Sequence, residues 1–214
     1  SLHDALPICF YKESWNYEDG CVYTGIMDMY NATGDEKYYN FMYELFESEG
    51  SGRVFNKLIN KFDLDVDINK LIEIYRFHNP DIVLSTESLE LLNFSKDFKT
   101  ALISDGHYIM QKNKFDALGL DEFIEYPIFT DFYQTKKPAL KPYQIVMEKF
   151  NDEKKFVYIS DNPKKDFKAV KELGWTGIRY KNRVGIYKDF ETDTDYEVEK
   201  REDIINILRN LSNE

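Results

Sequence analysis

The residues of this chain that are best suited to chemistry lie in its second half, in the order hydroxyl, lysine and two carboxylates. Ser104 ends a short apolar run and precedes a turn at 105–106, and Lys137 follows it further along the chain. Asp161 ends a second apolar run, and Asp166 lies on the helix predicted after it. Hydroxyls, turn amides and lysines bind phosphoryl oxygens, and carboxylates are ligands that Mg²⁺ prefers. The set therefore predicts a site that handles phosphate.

Three of these four residues also have a purely structural explanation. Ser104 can simply end a strand ahead of a turn, and Lys136 with Lys137 can be a solvated pair. Asp161 ahead of Pro163 is a good helix start whatever the function. Capping and metal binding are compatible at Asp161, so the pattern leaves both open.

The elements that must position these residues alternate between strands and helices over residues 99–214. Strands that lead into helices require parallel pairing, and open α/β folds bind ligands at the carboxyl edge of the sheet. We therefore predict an α/β fold class with a three-layer, Rossmann-like parallel sheet core. The predicted strands are 99–104, 128–130, 156–160, 176–180 and 196–198, and the predicted helices are 107–118, 143–150, 163–173 and 202–211.

Residues 47–98 predict a small helical cap subdomain. Apolar residues at three-four spacing indicate helices over 54–62 and 68–77, and Ser85 can cap a third helix that runs through Asn93. We expect this subdomain to cover the site.

The first 46 residues do not fit this plan. Residues 1–8 resemble one reading frame of a common DNA-sequencing adapter, and we treat them as a non-native leader. Residues 9–46 predict a helical hairpin of uncertain origin that turns at 33–35. Within it, residues 15–38 resemble the opening helices of the unsaturated uronyl glycoside hydrolases. This resemblance supports a separate hypothesis, in which the hairpin is part of a carbohydrate-active enzyme.

The charge and composition of the chain limit the classes of partner that we expect it to bind. Lys and Arg total 28 against 39 Asp and Glu, a net charge of -11, so we expect no nucleic-acid partner. One local lysine and a Mg²⁺ ion can still attract a small phosphorylated molecule. Two cysteines cannot make a disulfide scaffold, and no apolar run approaches ~18 residues, so we expect a cytoplasmic protein without a membrane partner. The oligomeric state stays open.

Taken in order, the signals resemble three motifs of the haloacid dehalogenase-like (HAD) hydrolase superfamily, in its capped phosphatase type. The resemblance spans about residues 47–190. Ile103-Ser104-Asp105-Gly106 matches the second motif, Lys137-Pro138 the third, and Ile159-Ser160-Asp161 through Asp166 the fourth.

The resemblance implies a role for each matched residue. Ser104 and Lys137 would be catalytic and would bind phosphate, and Asp105 and Gly106 would add backbone donors. Asp161 and Asp166 would bind a Mg²⁺ cofactor. The implied activity is Mg²⁺-dependent hydrolysis of a small phosphomonoester, and the residues do not identify the substrate.

The chain departs from the family at the residue that would start the reaction. Members open with a strand that ends in Asp-x-Asp-x-Thr or Asp-x-Asp-x-Val, whose first Asp attacks phosphorus and whose second acts as acid and base. No such motif precedes residue 99; the nearest candidate, at Asp28, has Tyr30 in place of the second Asp and lies in a predicted helix.

Two hypotheses follow from this departure. In the first, the chain is the cap and core of a HAD-type phosphatase, truncated and inactive as written. In the second, it is a natural non-catalytic relative that binds a phosphorylated ligand or a protein partner. Because the missing strand is central in the family's sheet, we expect unpaired backbone, exposed apolar surface and reduced stability, or an imperfect replacement by residues 9–46.

Overall fold

The computed structural model of the chain describes residues 40, 41, 44, 54–182, 187 and 189–213, and it divides between Pro80 and Asp81 into two units. One unit is helical in its described residues, and the other contains the described strands. The predicted leader lies outside the described residues, and so does nearly all of the predicted hairpin.

The unit that ends at Pro80 contains the helices α1 (Val54–Phe62) and α2 (Ile68–Phe77). Asp67 begins α2, because its carboxylate accepts a hydrogen bond from the Asn69 N–H at 2.9 Å. Both helices have the bounds that the three-four spacing predicts, so local periodicity was sufficient to locate them.

The next helix, α3 (Thr86–Ser95), belongs to the unit that contains the strands. Ser85 caps it as predicted, and its Oγ accepts an N–H from the first turn at 3.3 Å. Leu91 and Leu92 are buried in two different hydrophobic clusters of that unit. The boundary between the units therefore lies before α3, whereas the predicted cap (47–98) includes it.

Five short strands alternate with helices in the rest of this unit. The strands are β1 (Ala101–Ser104), β2 (Tyr126–Phe129), β3 (Val157–Ser160), β4 (Thr176–Tyr180) and β5 (Tyr196–Val198). The helices are α4 (Tyr108–Ala117), α5 (Lys141–Lys149), α6 (Phe167–Glu172) and α7 (Arg201–Ser212), and a short 3₁₀ helix spans Leu120–Glu122. All described pairings are parallel: β1 pairs with β2, and β4 pairs with both β3 and β5. The predicted α/β class is confirmed.

Large apolar side chains from the strands and helices form the core. Ile128 and Tyr143 meet in one cluster, and Ile178 and Ile204 meet in another, each with no measurable exposure. Fully burying an aliphatic side chain of this kind contributes about 1.5–3 kcal/mol, which is what holds such short strands in place. No described helix combines the length and the apolar character that crossing a membrane requires.

Among the described residues, β1 and β3 are not paired with each other, and both line a cavity of about 830 Å³. Its walls are largely apolar and include Leu102, Ile159 and Trp175. None of the predicted site residues lines the cavity, so the candidate site lies elsewhere.

Candidate functional site

Ser104 and Ser160 stand at the carboxyl ends of β1 and β3, where the sequence analysis places the site. Both side chains are buried and engaged. The Ser104 hydroxyl donates to the Gln111 Oε1 at 2.8 Å, and the Ser160 hydroxyl donates to the Asp166 carboxylate. Gln111 is not among the predicted residues, because its local pattern on α4 does not distinguish it from a surface glutamine.

Gly106 forms the turn after β1 with a φ of +117°, a backbone conformation that residues with a side chain rarely adopt. A Cβ atom at this position would lie 2.7 Å from the Gln111 Nε2. Glycine is therefore required both for the backbone angle and for the approach of the side chain that holds the Ser104 hydroxyl.

The substitution Gly106→Ala should lower the free energy of unfolding by about 2–3 kcal/mol, from backbone strain and the displaced Gln111. Gly119→Ala is the matched control, because Gly119 also has a positive φ (+60°) but open space around it. That control should lose only about 1 kcal/mol. Urea unfolding of both variants measures the difference, and equal losses would contradict a role for the Gln111 contact.

Asp105 connects three segments of the site through its side chain. Its Oδ1 accepts hydrogen bonds from the Thr130 hydroxyl at 2.9 Å and from the Lys137 backbone N–H at 3.0 Å. Its Oδ2 lies 3.8 Å from the Lys165 Nζ. The sequence predicts a role only for the backbone of Asp105, and the structure adds a positioning role for its carboxylate, with Thr130 and Lys165 as neighbours.

Lys137 is the cation of the site. Its Nζ lies 2.8 Å from the Asp166 Oδ1, and the two side chains are 13% and 1% exposed. The Tyr158 hydroxyl lies 3.4 Å from the same Nζ. The structure thus brings together Lys137 and Asp166, the third and fourth predicted motifs, in one buried ion pair.

The environment of Lys137 keeps it charged. Burial acts to lower its pKa, but the charge and the hydrogen bond of Asp166, with a further contribution from Asp105, outweigh burial and raise the pKa of Lys137 above its ordinary value. A lysine held in this way is a fixed positive charge at neutral pH.

The two predicted metal ligands differ in their surroundings. Both oxygens of Asp166 face partners, one Lys137 and the other Ser160, and Asp161 is half-buried at the end of β3. Among the described residues, no three His, Cys, Asp or Glu side chains are grouped so that they could hold a metal ion. By themselves they do not fit a Mg²⁺ site, and the structure gives Asp166 the lysine as its partner.

The helix predicted over 163–173 is shorter than expected. Residues 161–166 form a turn, in which the Asn162 Oδ1 accepts the Lys164 N–H at 3.1 Å and the Asn162 carbonyl accepts the Asp166 N–H at 3.2 Å. The α6 helix begins only at Phe167. The turn is what directs the Asp166 side chain toward Ser160 and Lys137.

A residue that the sequence analysis does not identify, Tyr187, lies beside this turn. Its hydroxyl accepts a hydrogen bond from the Asn162 Nδ2 at 3.1 Å, and its carbonyl accepts one from the Arg179 guanidinium at 2.6 Å. Burial, and then the charge of Asp161, raise the pKa of Tyr187. No local pattern marks this tyrosine, because its partners come from β4 and from the end of β3.

The chain does contain Asp-x-Asp pairs that do not continue into the full motif, and before residue 99 they lie in the segment Asp63-Leu64-Asp65-Val66-Asp67. The structure places it in the connection between α1 and α2, and Asp63 has a positive φ there. It does not end a strand, so it lacks the setting in which the family's nucleophile stands.

Comparison with known proteins gives the following matches. Residues 23–179 match the family model described as haloacid dehalogenase-like hydrolase. The chain is 27% identical over 191 residues to the glyceraldehyde 3-phosphate phosphatase of Methanocaldococcus jannaschii. This match covers 82% of this chain and 81% of that protein. The match extends toward the start of the chain beyond the three motifs.

Solved structures share the fold at lower identity. One is a HAD hydrolase from Bacillus subtilis bound to magnesium, 17% identical, with a TM-score of 0.60 over 90% of this chain and 81% of that one. Another is an L-2-haloacid dehalogenase from Xanthobacter autotrophicus, 14% identical, with a TM-score of 0.64 over 95% of this chain and 97% of that one. At these identities the likeness shows the fold alone.

Proposed function

The chain belongs to the haloacid dehalogenase-like hydrolase family, and from that membership we propose that it binds a small phosphorylated metabolite in a phosphatase-type site. The site consists of Ser104, the Asp105-Gly106 turn and Lys137. A three-carbon sugar phosphate is the substrate class we propose, because the relative from Methanocaldococcus jannaschii is a glyceraldehyde 3-phosphate phosphatase.

The observation that carries the proposal is the attachment of the lysine segment to the turn after β1. The Lys137 N–H donates to the Asp105 carboxylate at 3.0 Å, so the cation and the turn are held at one place. A phosphoryl group needs a fixed positive charge and several donors around its oxygens. Lys137 supplies the charge, and the Ser104 hydroxyl and the turn amides supply donors.

In this structure the two side chains that would contact a phosphoryl group are bound to other side chains of the protein. Lys137 pairs with Asp166, and the Ser104 hydroxyl donates to Gln111. Because an ammonium has three donors, Lys137 can keep Asp166 and add a phosphoryl oxygen. The Ser104 hydroxyl would instead rotate from Gln111 toward the ligand.

Hydrolysis is the step that we expect to be slow for the sequence as it stands. Among the described residues, the carboxylates next to Lys137 are Asp105 and Asp166. Both already accept hydrogen bonds, and Asp166 also forms the ion pair with Lys137. Neither is placed as an unengaged nucleophile, and the Asp-x-Asp-x-Thr or Asp-x-Asp-x-Val motif does not precede residue 99. This favours the second candidate function, a relative that binds phosphorylated ligands without efficient turnover.

Mg²⁺ dependence is a separate part of the proposal. Its support is the fourth-motif match at Asp161 and the magnesium-bound neighbour of the same fold. The described residues do not fit a metal site by themselves.

Calorimetric binding of inorganic phosphate, together with phosphate release from glyceraldehyde 3-phosphate, tests the proposed function with and without Mg²⁺. We expect the chain to bind phosphate and to turn over several orders of magnitude more slowly than an enzyme that has its nucleophile. As a guide to scale, removing the nucleophile from a serine protease slows its turnover about a millionfold. Rapid turnover would support phosphatase activity but contradict the expectation that hydrolysis is slow. An absence of both binding and turnover would refute the proposed function.

A further inference from the structure

We propose that the Tyr187 hydroxyl is an additional ligand-binding group, which donates a hydrogen bond to an oxygen of the phosphoryl group held beside Lys137. This inference rests on the proposed function. It concerns a residue outside all three motifs, in the segment between β4 and β5.

The position of the hydroxyl is fixed from the end of β3. The Asn162 Nδ2 donates to the Tyr187 hydroxyl at 3.1 Å, and the Asn162 N–H donates to the Ser160 hydroxyl at 3.4 Å. Ser160 in turn donates to Asp166, the partner of Lys137. The tyrosine hydroxyl is therefore linked to the residues of the Lys137 ion pair through Asn162, whose side chain and backbone N–H make these two hydrogen bonds.

The hydroxyl also has a donor to offer. A phenol carries one O–H hydrogen in addition to its acceptor lone pairs, and Tyr187 uses a lone pair to accept from Asn162. In the part of the chain that the structure describes, no hydrogen-bond acceptor is assigned to the Tyr187 O–H. An ordinary phenol is protonated at neutral pH, so this hydroxyl can donate to an anion.

The Tyr187 ring is held in place before any ligand arrives. Arg179, 1% exposed, donates to the Tyr187 carbonyl at 2.6 Å and to the Phe190 carbonyl at 2.5 Å. The rings of Tyr187 and Phe190 pack edge to face at 5.8 Å, and the Lys164 Nζ lies 4.2 Å from the Phe190 ring centroid. A donor fixed in this way binds an anion without the loss of conformational entropy that ordering a free side chain would cause.

The test is calorimetric titration of the full chain with inorganic phosphate. Tyr187→Phe removes only the hydroxyl and should weaken phosphate binding about tenfold, with an unchanged melting temperature. Tyr196→Phe is the matched control, because Tyr196 lies on β5 with its side chain exposed, and it should bind phosphate like the unsubstituted chain.

A second comparison tests the connection through Asn162. Asn162→Ala should weaken phosphate binding in the unsubstituted chain and add little in the Tyr187→Phe background, because the asparagine acts by positioning the phenol. Equal affinity of the unsubstituted chain and Tyr187→Phe would overturn the inference and leave the proposed function standing. If the unsubstituted chain does not bind phosphate, both are overturned.

Discussion

Replacing Lys137 with methionine should lower the free energy of unfolding by about 3–5 kcal/mol. The variant keeps most of the side chain's apolar volume but removes the charge that lies 2.8 Å from the Asp166 carboxylate. Because Asp166 is only 1% exposed, its charge would be left in a poorly solvated place. Urea unfolding at neutral pH measures the loss.

Two further variants separate the ion pair from other effects. Lys136→Met is the matched control, because Lys136 is the adjacent lysine and is exposed, and it should change stability by no more than about 0.5 kcal/mol. The double variant Lys137→Met with Asp166→Asn should recover much of the loss, since no unpaired charge remains. A single variant no less stable than Lys136→Met would contradict the buried ion pair.

The pH dependence of this contribution has a definite sign. Since the pKa of Lys137 is raised by folding, the stabilisation is fully present below the unfolded value of about 10.4 and is lost only as the pH rises through the higher folded value. The difference between the unsubstituted chain and Lys137→Met should therefore stay constant between about pH 7 and 9. A decline within that interval would contradict the direction of the shift.

Replacing Arg179 with methionine should cost about 3 kcal/mol of stability and also weaken phosphate binding. Arg179 lies on β4 opposite Glu197 on β5, and its guanidinium donates to Glu197 at 2.7 Å and to the carbonyls of Tyr187 and Phe190. Without it, both carbonyls lose a charged donor, and Tyr187 is no longer held beside the site.

Lys181→Met is the control for this prediction. Lys181 pairs with the same Glu197 at 3.2 Å but is one-third exposed, so its loss should cost less than about 1 kcal/mol and leave phosphate binding unchanged. If Arg179→Met binds phosphate as well as Lys181→Met does, the arginine stabilises the sheet without positioning the site.

Local patterns were sufficient to locate most of the helices and strands. The three-four spacing predicts the bounds of α1 and α2, and Ser104 and Ser160 end their strands where the apolar runs stop. Family membership and the α/β class are confirmed. These features depend on residues that are close together in the chain.

The rest depends on contacts between distant segments, which a single sequence does not display. Thr130 reaches Asp105 from 25 residues away, and Tyr187 reaches Asn162 across the same separation. The helix α3 resembles a cap helix in sequence, and only its burial against two clusters places it with the strands. The cytoplasmic location and the absence of a nucleic-acid partner stay predictions.

The most direct test of the phosphate site is an amide NMR titration of the unsubstituted chain with inorganic phosphate. We expect the largest shifts at the amides of Asp105, Gly106 and Lys137, with smaller shifts at Asn162 and few changes in α1 and α2. Shifts that avoid the turn after β1 and the Lys137 segment, or no shifts at saturating phosphate, would contradict the central claim that this edge binds phosphoryl groups.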